Sequence, residues 1–392
     1  MKKLVILLTL SLLLGSCSTL PEADIPIEAA KVVKAMETDV PKEKTIPVDI
    51  AFEKPVATSA KLVAVGDILL HQPVYHDAAT AQGGYDFSSM FTKVQPYLEE
   101  ADIAVANQET MIGGAELGLS SYPLFNSPYE IGDALKETGI DVVTIANNHT
   151  LDKGEKAIVN AITYWDSIGM TYTGAFKSEE DRDTIRTVIE NGISFSFLSY
   201  SYGTNGLPVP EDKPYLINLI DLSLIKQDVE AAKALSDVVV VSMHWGIEYE
   251  SVPNQTQLDL ANELSTMGVD IIIGHHPHVL QPMDWIERAD GSRTFVMYSL
   301  GNFLSSQEGV ERLTGGIGGV EITKTAYPGK SVISLSNPSF VPTYGYYKNK
   351  SDFEIIPMVQ LNDFHLPNYL TYYESTQNHM MTFIKDLTFH EK

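Results

Sequence analysis

Short apolar runs alternate along this chain with longer amphipathic segments, and that alternation limits the folds open to it. The runs are rich in β-branched residues and end at polar residues or glycine, which is typical of buried strands. The longer segments have the apolar spacing of helices. Strands are predicted at 61–66, 103–106, 142–146, 194–199, 238–242, 269–273 and 294–298, and helices at 86–100, 131–138, 154–168, 222–235 and 255–267. This order predicts an α/β fold with a mainly parallel sheet covered by helices.

Side chains able to bind a metal follow most of the predicted strands. They are Asp67, Asn107, Glu109, Asn148, His149, His244, His276 and His278. The carboxyl ends of parallel strands meet at one edge of a sheet, where open α/β sheets bind ligands. We therefore expect these side chains to converge on a single pocket.

The densest group follows the predicted strand Val269–Ile273, where His275, His276 and His278 lie within four residues. Imidazole is both a neutral metal ligand and a general acid or base near neutral pH. A single histidine in a polar loop more often bonds the backbone. Three of them, after a buried strand and beside a proline that restricts φ, favour a functional site.

The chain is strongly acidic, with 27 Lys and Arg residues against 51 Asp and Glu residues and a formal net charge of -24. This balance disfavours nucleic acid and any polyanion held by bulk charge alone. With 392 residues, the chain is long enough for one large α/β domain with an appendage, or for two domains.

The amino terminus has the pattern of a secretory signal. Lys2 and Lys3 precede the apolar run Leu4–Leu14, and the following Gly-Ser-Cys17 resembles a bacterial lipoprotein cleavage box. We predict a signal peptide at 1–17, lipidation of Cys17 and a location at the extracytoplasmic face of the cell membrane. Cys17 is the only cysteine, so disulfides are excluded. The alternative is an ordinary signal peptide that a cysteine follows by chance.

Differences in amino-acid composition and pattern divide the remainder of the chain into three predicted segments. Residues 18–59 are rich in Pro, Glu, Lys and Ala, which predicts a flexible tether. Residues 60–305 hold the alternating strands and helices of the main domain. Gly-rich alternating segments follow, so we expect 306–392 to be a β-rich extension packed on the main domain, with a final helix at 369–387.

The strand-end residues supply hard oxygen and borderline nitrogen ligands. Such a set suits Mn, Fe or Zn in a hydrolytic site with one or two metals, which activates water and holds a phosphoryl or carbonyl oxygen. His149, next to Asn148, is placed to protonate a leaving group. Asp152 with Gly154 is interpreted as a cap of the following helix.

Six short motifs occur at the strand ends in a fixed order along 61–304. They are Val65-Gly-Asp67, Asn107-Gln-Glu-Thr110, Ala146-Asn-Asn-His-Thr-Leu-Asp152, His244-Trp-Gly246, Gly274-His-His-Pro-His-Val-Leu-Gln281 and Tyr298-Ser-Leu-Gly-Asn-Phe303. Together they resemble the CapA family of bacterial capsule-synthesis proteins, which take part in making or exporting poly-γ-glutamate. The resemblance implies the calcineurin-like metallophosphoesterase fold, a four-layer αββα sandwich.

The resemblance also implies roles for individual residues. The implied metal ligands are Asp67, Asn148, His244, His276 and His278. The implied catalytic residues are His149 and Glu109. The residues assigned to substrate binding are Asn107, His275, Glu248 and Asn302, although Glu248 could merely hold its loop and Asn302 could merely bond locally.

The chain departs from better-known phosphoesterases at two motifs. Their first motif has Asp and His two residues apart, whereas here His71 is four residues after Asp67. Their bridging aspartate is replaced here by Asn107 and Glu109. These departures leave open how many metals bind and whether the chain is a phosphatase.

Three functions follow as alternatives. The first is a lipid-anchored protein of poly-γ-glutamate synthesis, processing or export, working with a membrane-bound polyglutamate synthase complex. The second is a metal-dependent phosphoesterase or related hydrolase acting on a cell-envelope substrate. The third is a non-catalytic partner of a membrane synthase. A divalent metal is expected in the first two.

Overall fold

The computed structural model describes residues 55–390. The expected signal peptide 1–17, Cys17 and most of the expected tether 18–59 lie outside these residues. The first strand begins at Val56, so the last four residues of the expected tether belong to the folded part. Within the described residues, no helix is both long and apolar enough to cross a membrane.

The described part of the chain forms fifteen strands and ten α-helices. The strands are β1 (Val56–Ile68), β2 (Ile103–Gln108), β3 (Val142–Thr144), β4 (Thr171–Thr173), β5 (Arg186–Glu190), β6 (Ile193–Ser201), β7 (Val238–His244), β8 (Ile271–His275), β9 (Leu280–Glu287), β10 (Arg293–Leu300), β11 (Asn302–Leu304), β12 (Thr314–Tyr327), β13 (Lys330–Lys348), β14 (Ser351–Pro357) and β15 (Thr388–Phe389). The helices are α1 (Gln72–Asp77), α2 (Ser88–Phe91), α3 (Gln95–Glu99), α4 (Glu130–Glu137), α5 (Gly154–Ile168), α6 (Glu179–Asp183), α7 (Leu222–Leu235), α8 (Gln255–Met267), α9 (Val310–Leu313) and α10 (Tyr369–Met380).

The first sheet has nine strands in the order β14-β13-β12-β1-β2-β3-β4, with β11 beside β1 and β15 beside β13. Strands β1 to β4 are parallel, whereas β12 runs antiparallel to β1 from the pair Val56 and Ala326 to the pair Val65 and Ile317. The described residues of the predicted β-rich extension, 306–390, therefore contribute hydrogen-bonded strands to the same sheet as β1.

The second sheet has six strands in the order β5-β6-β7-β8-β10-β9. The four inner strands are parallel, and the edge strands β5 and β9 are antiparallel to their neighbours. Neither edge strand is predicted from the sequence. Strand β9 follows the loop that contains His276 and His278, which we call the histidine loop. It contains Pro282, which an edge strand tolerates.

The two sheets pack face to face, and helices cover both outer faces. Alternate residues of β1 show the arrangement, because Leu62 faces the second sheet while Val63 faces the helices over the first sheet. Trp165 of α5 lies in that outer layer, and Leu264 of α8 lies in the layer over the second sheet. The arrangement confirms the predicted four-layer αββα sandwich.

Two predicted helices are wrong in extent. The segment 86–100 forms two short helices, α2 and α3, instead of one. Pro96 is in the first turn of α3, where a missing N–H costs little, but it cannot continue a helix from α2 because its ring clashes with the preceding turn. The final helix, expected at 369–387, ends at Met380.

Candidate functional site

Neighbouring strands bring the predicted site residues to one edge of the two sheets. Asp67 of β1 is in register with Asn107 of β2, and His244 of β7 is in register with His275 of β8. All four side chains are buried. Oδ1 of Asp67 lies 3.4 Å from Nδ1 of His275, so the two pairs meet and the predicted convergence of these side chains is present in the structure.

The loop after β8 holds its histidines in unusual backbone conformations. His276 has φ +97° and His278 has φ +58°, a region that most side chains avoid. Gly274, the residue before the end of β8, allows β8 to approach β10 closely, because a Cβ at this position would lie 2.0 Å from the carbonyl oxygen of Tyr298. Strain of this kind is common where a loop must aim side chains at a site.

Asp67 is the best-satisfied carboxylate of the site. Its Oδ1 accepts a hydrogen bond from Nδ2 of Asn107 at 2.8 Å, and its Oδ2 lies 3.0 Å from Nδ1 of His278. The backbone N–H of His276 donates to the same Oδ2 at 3.3 Å. Burial opposes ionisation of Asp67, but His275 and His278 outweigh it and hold the pKa of Asp67 well below its usual range.

This carboxylate also orients a metal-capable imidazole. The Nδ1 of His278 donates toward Asp67 and lies 3.1 Å from Oδ1 of Asn302, which leaves Nε2 directed toward Glu109 at 3.7 Å. A carboxylate behind a histidine fixes the ring and its tautomer in many metal sites. Asp67, expected as a metal ligand, is therefore placed to support His278.

Glu109, unlike Asp67, lies in surroundings that offer its carboxylate no hydrogen-bond donor among the described residues. It is fully buried, and within residues 55–390 neither of its carboxylate oxygens has a hydrogen-bond partner. Its Oε1 lies 3.6 Å from Nε2 of His244 and 3.7 Å from Nε2 of His278. Burial raises the pKa of Glu109 well above its usual range. A buried carboxylate without donors is costly unless a cation lies beside it.

The donor set fits a divalent metal. In the described residues, Glu109, His276 and His278 each offer a ligand atom, and these atoms lie within 4.8 Å of one another. Nδ1 of His276 and Nδ1 of His244 also have no hydrogen-bond partner there. Mixed carboxylate and imidazole ligands suit Mn, Fe or Zn. Glu109, expected to be catalytic, lies with the metal-capable histidines.

The histidines differ in how readily they hold a proton. Burial, with the positive potential of neighbouring His278, lowers the pKa of His276 to about 3. Burial also lowers the pKa of His244 well below its usual range. For His278, burial acts in the same direction, but Glu109 and Asp67 outweigh it and raise the pKa to about 9. Neutral His276 and His244 are suited to coordinate a cation, since only unprotonated nitrogen binds a metal. His278 would have to release the proton on its Nε2 when a cation binds there.

Asn148 and His149 follow β3 side by side but point to different partners. Oδ1 of Asn148 lies 2.9 Å from Nε2 of His244. Nδ1 of His149 donates to Oδ2 of Asp152 at 2.8 Å, and the edge of this ring meets Phe125 at a centroid distance of 4.7 Å. The bond to Asp152 fixes the imidazole and leaves its Nε2 without a partner in the described residues, which suits a proton donor.

The interpretation of Asp152 as a helix cap is wrong. The cap position of α5 is occupied by Lys153, whose side chain makes no capping hydrogen bond. Asp152 instead accepts from His149 and from the backbone N–H of Phe125 at 2.7 Å. The spacing of His149 and Asp152, three residues apart in a tight turn, is the sequence signal that could have revealed the pair.

The residues expected to bind substrate have different positions. Asn107 and His275 are buried against Asp67, with Nδ1 of His275 at 3.4 Å from Oδ1, so they hold that carboxylate. Asn302 is buried and holds His278. Glu248 is exposed at the rim.

Two exposed tyrosines beside His276 and His278 are not predicted from the sequence. The ring of Tyr202 lies 4.6 Å from that of His276, and the ring of Tyr249 lies 6.3 Å from that of His278. Both side chains are partly exposed. No motif marks them, because each follows a strand in a loop of irregular sequence.

The αββα sandwich, with buried carboxylates and imidazoles at the carboxyl ends of its strands, defines a four-layer α/β protein with a candidate divalent-metal site. Within that class, the chain belongs to the family described as bacterial capsule synthesis protein PGA_cap, which it matches over residues 61–307.

Two relatives and one solved structure are similar to the chain. Capsule biosynthesis protein CapA of Bacillus anthracis is 30% identical over 260 residues, which cover 63% of this chain and 60% of that protein. PGA biosynthesis protein CapA of Bacillus subtilis is 31% identical over 283 residues, which cover 70% and 68%. A 5'-nucleotidase precursor from Thermus thermophilus aligns over 83% of this chain and 60% of that chain, with a TM-score of 0.44 and 12% identity.

Proposed function

We propose that this chain is a lipid-anchored protein of the extracytoplasmic membrane face that takes part in poly-γ-glutamate synthesis, processing or export. The observation that carries the proposal is that the family match, 61–307, includes the whole strand-end site from Asp67 to Asn302. The description of the Bacillus subtilis relative as a PGA biosynthesis protein supports the choice of polymer. The proposal includes cooperation with a membrane-bound polyglutamate synthase complex.

The site would act on the polymer through a bound divalent cation. Glu109, His276 and His278 would hold it, with Asp67 fixing His278 from behind. When bound, a metal of this kind polarises a carbonyl or phosphoryl oxygen and makes bound water a stronger nucleophile. His149, held by Asp152, would donate a proton from Nε2 to a leaving group.

The test compares polymer made by a producing strain with the gene intact, deleted, or carrying Glu109→Gln. We expect deletion to abolish the surface polymer or change its length, and the intact gene to restore it where Glu109→Gln does not. Unchanged polymer after deletion would refute the proposal. Full restoration by Glu109→Gln would support the non-catalytic partner role instead.

A second candidate is a metal-dependent phosphoesterase or related hydrolase of the cell envelope. The pairing of His149 with Asp152 beside the metal-capable group favours it, since a pre-oriented acid serves hydrolysis in general. Hydrolysis of an aryl phosphate in the presence of Mn²⁺, lost in His149→Ala, would support this candidate. Absence of hydrolysis by metal-loaded protein would count against it.

Anchoring is tested separately. Replacing the lipidation residue, Cys17→Ala, is expected to release the protein from the membrane fraction because one acyl-bearing residue supplies the anchor. Unchanged retention of Cys17→Ala in washed membranes would refute the anchor.

A further inference from the structure

Arg312 differs from the other arginines of this acidic chain in the contacts that its guanidinium makes. Of the five arginines, Arg182, Arg186 and Arg288 pair with carboxylates, and Arg293 donates to a backbone carbonyl. Within residues 55–390, the guanidinium of Arg312 has neither a carboxylate within 4.0 Å nor a hydrogen-bond acceptor. Arginine carries five N–H donors in a rigid fork, so these donors are available for a ligand.

An aromatic contact holds this guanidinium beside Tyr249, a neighbour of His278. Its central carbon lies 4.0 Å from the ring centroid of Tyr249, whose ring in turn lies 6.3 Å from that of His278. Tyr249 has φ +68° and donates its backbone N–H to the carbonyl of Pro277 at 2.7 Å. One strained tyrosine, tied to the histidine loop, therefore separates Arg312 from a metal-capable histidine.

The backbone of Arg312 is tied to the same histidine. Nδ2 of Asn302 donates to the carbonyl of Arg312 at 2.9 Å, while Oδ1 of Asn302 lies 3.1 Å from Nδ1 of His278. Asn302 also donates to Oε1 of Gln307 at 3.0 Å. Asn302 therefore fixes the backbone of Arg312 relative to the imidazole of His278.

We propose that Arg312 binds an anionic group of the substrate, a carboxylate or a phosphate. It lies one aromatic ring, that of Tyr249, away from the residues that could hold a metal, which are Glu109, His276 and His278. The identity of that substrate as a γ-glutamyl chain rests on the proposed function. Such a chain carries a carboxylate on every residue, so one could bind Arg312 while a neighbouring amide lies at the site. A bidentate guanidinium contact gives local attraction that overcomes the repulsion from a net charge of -24.

Lys350, a second cation in this part of the structure, is not equivalent to Arg312. The ammonium of Lys350 already lies 3.0 Å from a carboxylate oxygen of Glu308, and it donates to the carbonyl of Ser306 at 2.7 Å. Its positive charge is therefore already paired with a carboxylate of the protein. Arg312 is the residue that we assign to substrate selection.

The experiment is calorimetric titration of the full chain, in Mn²⁺, with a short γ-linked glutamate oligomer and separately with inorganic phosphate. We expect Arg312→Gln to weaken binding of the oligomer about tenfold or more, as loss of a charge-assisted hydrogen bond does. Methylating the α-carboxylates of the oligomer should weaken binding to the unaltered protein by a similar factor and binding to Arg312→Gln much less. Bound metal and melting temperature should stay the same.

The matched control is Arg293→Gln. Arg293 also lies over an aromatic ring, at 4.1 Å from Trp285, but at the start of β10, away from the strand ends that carry the site. We expect this variant to bind the oligomer like the unaltered protein.

Two outcomes separate the inference from the function on which it rests. Oligomer binding that is equal in the unaltered protein and Arg312→Gln would overturn the role of Arg312 while leaving the polymer function intact. Binding of inorganic phosphate that depends on Arg312, without binding of the oligomer, would support the arginine as an anion receptor and overturn the choice of polymer.

Discussion

At the scale of single residues, the two buried carboxylates of the site are held in contrasting ways. Asp67 accepts from Asn107, His278 and a backbone N–H, and His275 and His278 hold its pKa well below its usual range despite burial. Glu109 has no donor among the described residues, and burial raises its pKa. The hydrogen bonds to Asp67 offset the cost of burying its charge, whereas the buried Glu109 lacks such donors and would be stabilised by a bound cation.

The hydrogen bond between His149 and Asp152 should be needed for function more than for stability. In Asp152→Asn, the amide oxygen can still accept from Phe125, but the variant loses the carboxylate that fixes the imidazole. We expect polymer production, or whatever hydrolysis the protein performs, to fall by about a hundredfold or more, as when a general acid is misaligned. The melting temperature should change little.

The control for this variant is Asp221→Asn. Asp221 caps α7 by accepting from the N–H groups of Ser223 and Leu224, a role that asparagine performs equally well. Activity should therefore be unchanged in Asp221→Asn. Full activity in Asp152→Asn would show that Asp152 does not orient His149 for catalysis.

At the scale of helices and strands, much could be predicted from the sequence because local signals agree with the fold. The helices predicted at 154–168, 222–235 and 255–267 have these bounds in the structure. Gly169 and Gly268 end two of them in the left-handed conformation that glycine adopts without strain. The apolar β-branched runs gave the inner strands for the same reason, since burial on both faces leaves a continuous apolar pattern.

Contacts between distant segments could not be predicted. Arg312 contacts Tyr249, which lies far from it in the sequence, only because the fold brings the two segments together. No local sequence pattern predicts such a contact. Asp152 has two plausible local roles, cap or partner of His149, and the fold decides between them. Edge strand β5 lacks the continuous apolar pattern, because only Val188 and Ile189 of its five residues are apolar.

One pair of helices depends on a largely buried ion pair. Arg182 of α6 contacts both carboxylate oxygens of Asp228 in α7, and Tyr200 donates to the same carboxylate at 2.7 Å. Only 17% of the Arg182 side chain and 9% of the Asp228 side chain are exposed. We expect Asp228→Ala to lower the free energy of unfolding by about 3 kcal/mol, because it leaves a poorly solvated guanidinium unpaired.

Denaturant unfolding measures this effect, with Asp166→Ala as the control. Asp166 pairs with Lys177 at the surface, where the two side chains are 48% and 42% exposed. That substitution should cost less than about 1 kcal/mol because water screens the pair. Equal losses for the two variants would contradict the structural importance assigned to Asp228.

At the scale of the whole molecule, the carboxyl-terminal strands are part of the sandwich itself. Strand β12 lies between β1 and β13, and its residues Val320 and Ile322 are buried between the two sheets. Strand β1 also carries Asp67, so the segment 306–392 supports the strand on which the site depends. The main domain predicted at 60–305 therefore shares its core with the predicted extension.

Truncation tests this integration. A chain ending at Ser305 loses the antiparallel partner of β1 and exposes an unpaired edge from Val56 to Val65. We expect the truncated protein to show no cooperative thermal unfolding, whereas the full chain unfolds cooperatively. A sharp transition and native-like circular dichroism in the truncated protein would show that 306–392 is dispensable.

The most direct measurement is the divalent metal bound to the purified full chain after dialysis against Mn²⁺, Fe²⁺ or Zn²⁺, read by elemental analysis. Metal should be retained by the unaltered protein and by His365→Ala, since His365 is outside the metal-capable group. Glu109→Gln and His276→Ala should each lower metal affinity by about tenfold or more. Failure of the unaltered protein to retain metal, or equal retention by all these variants, would contradict a metal centre at the strand ends.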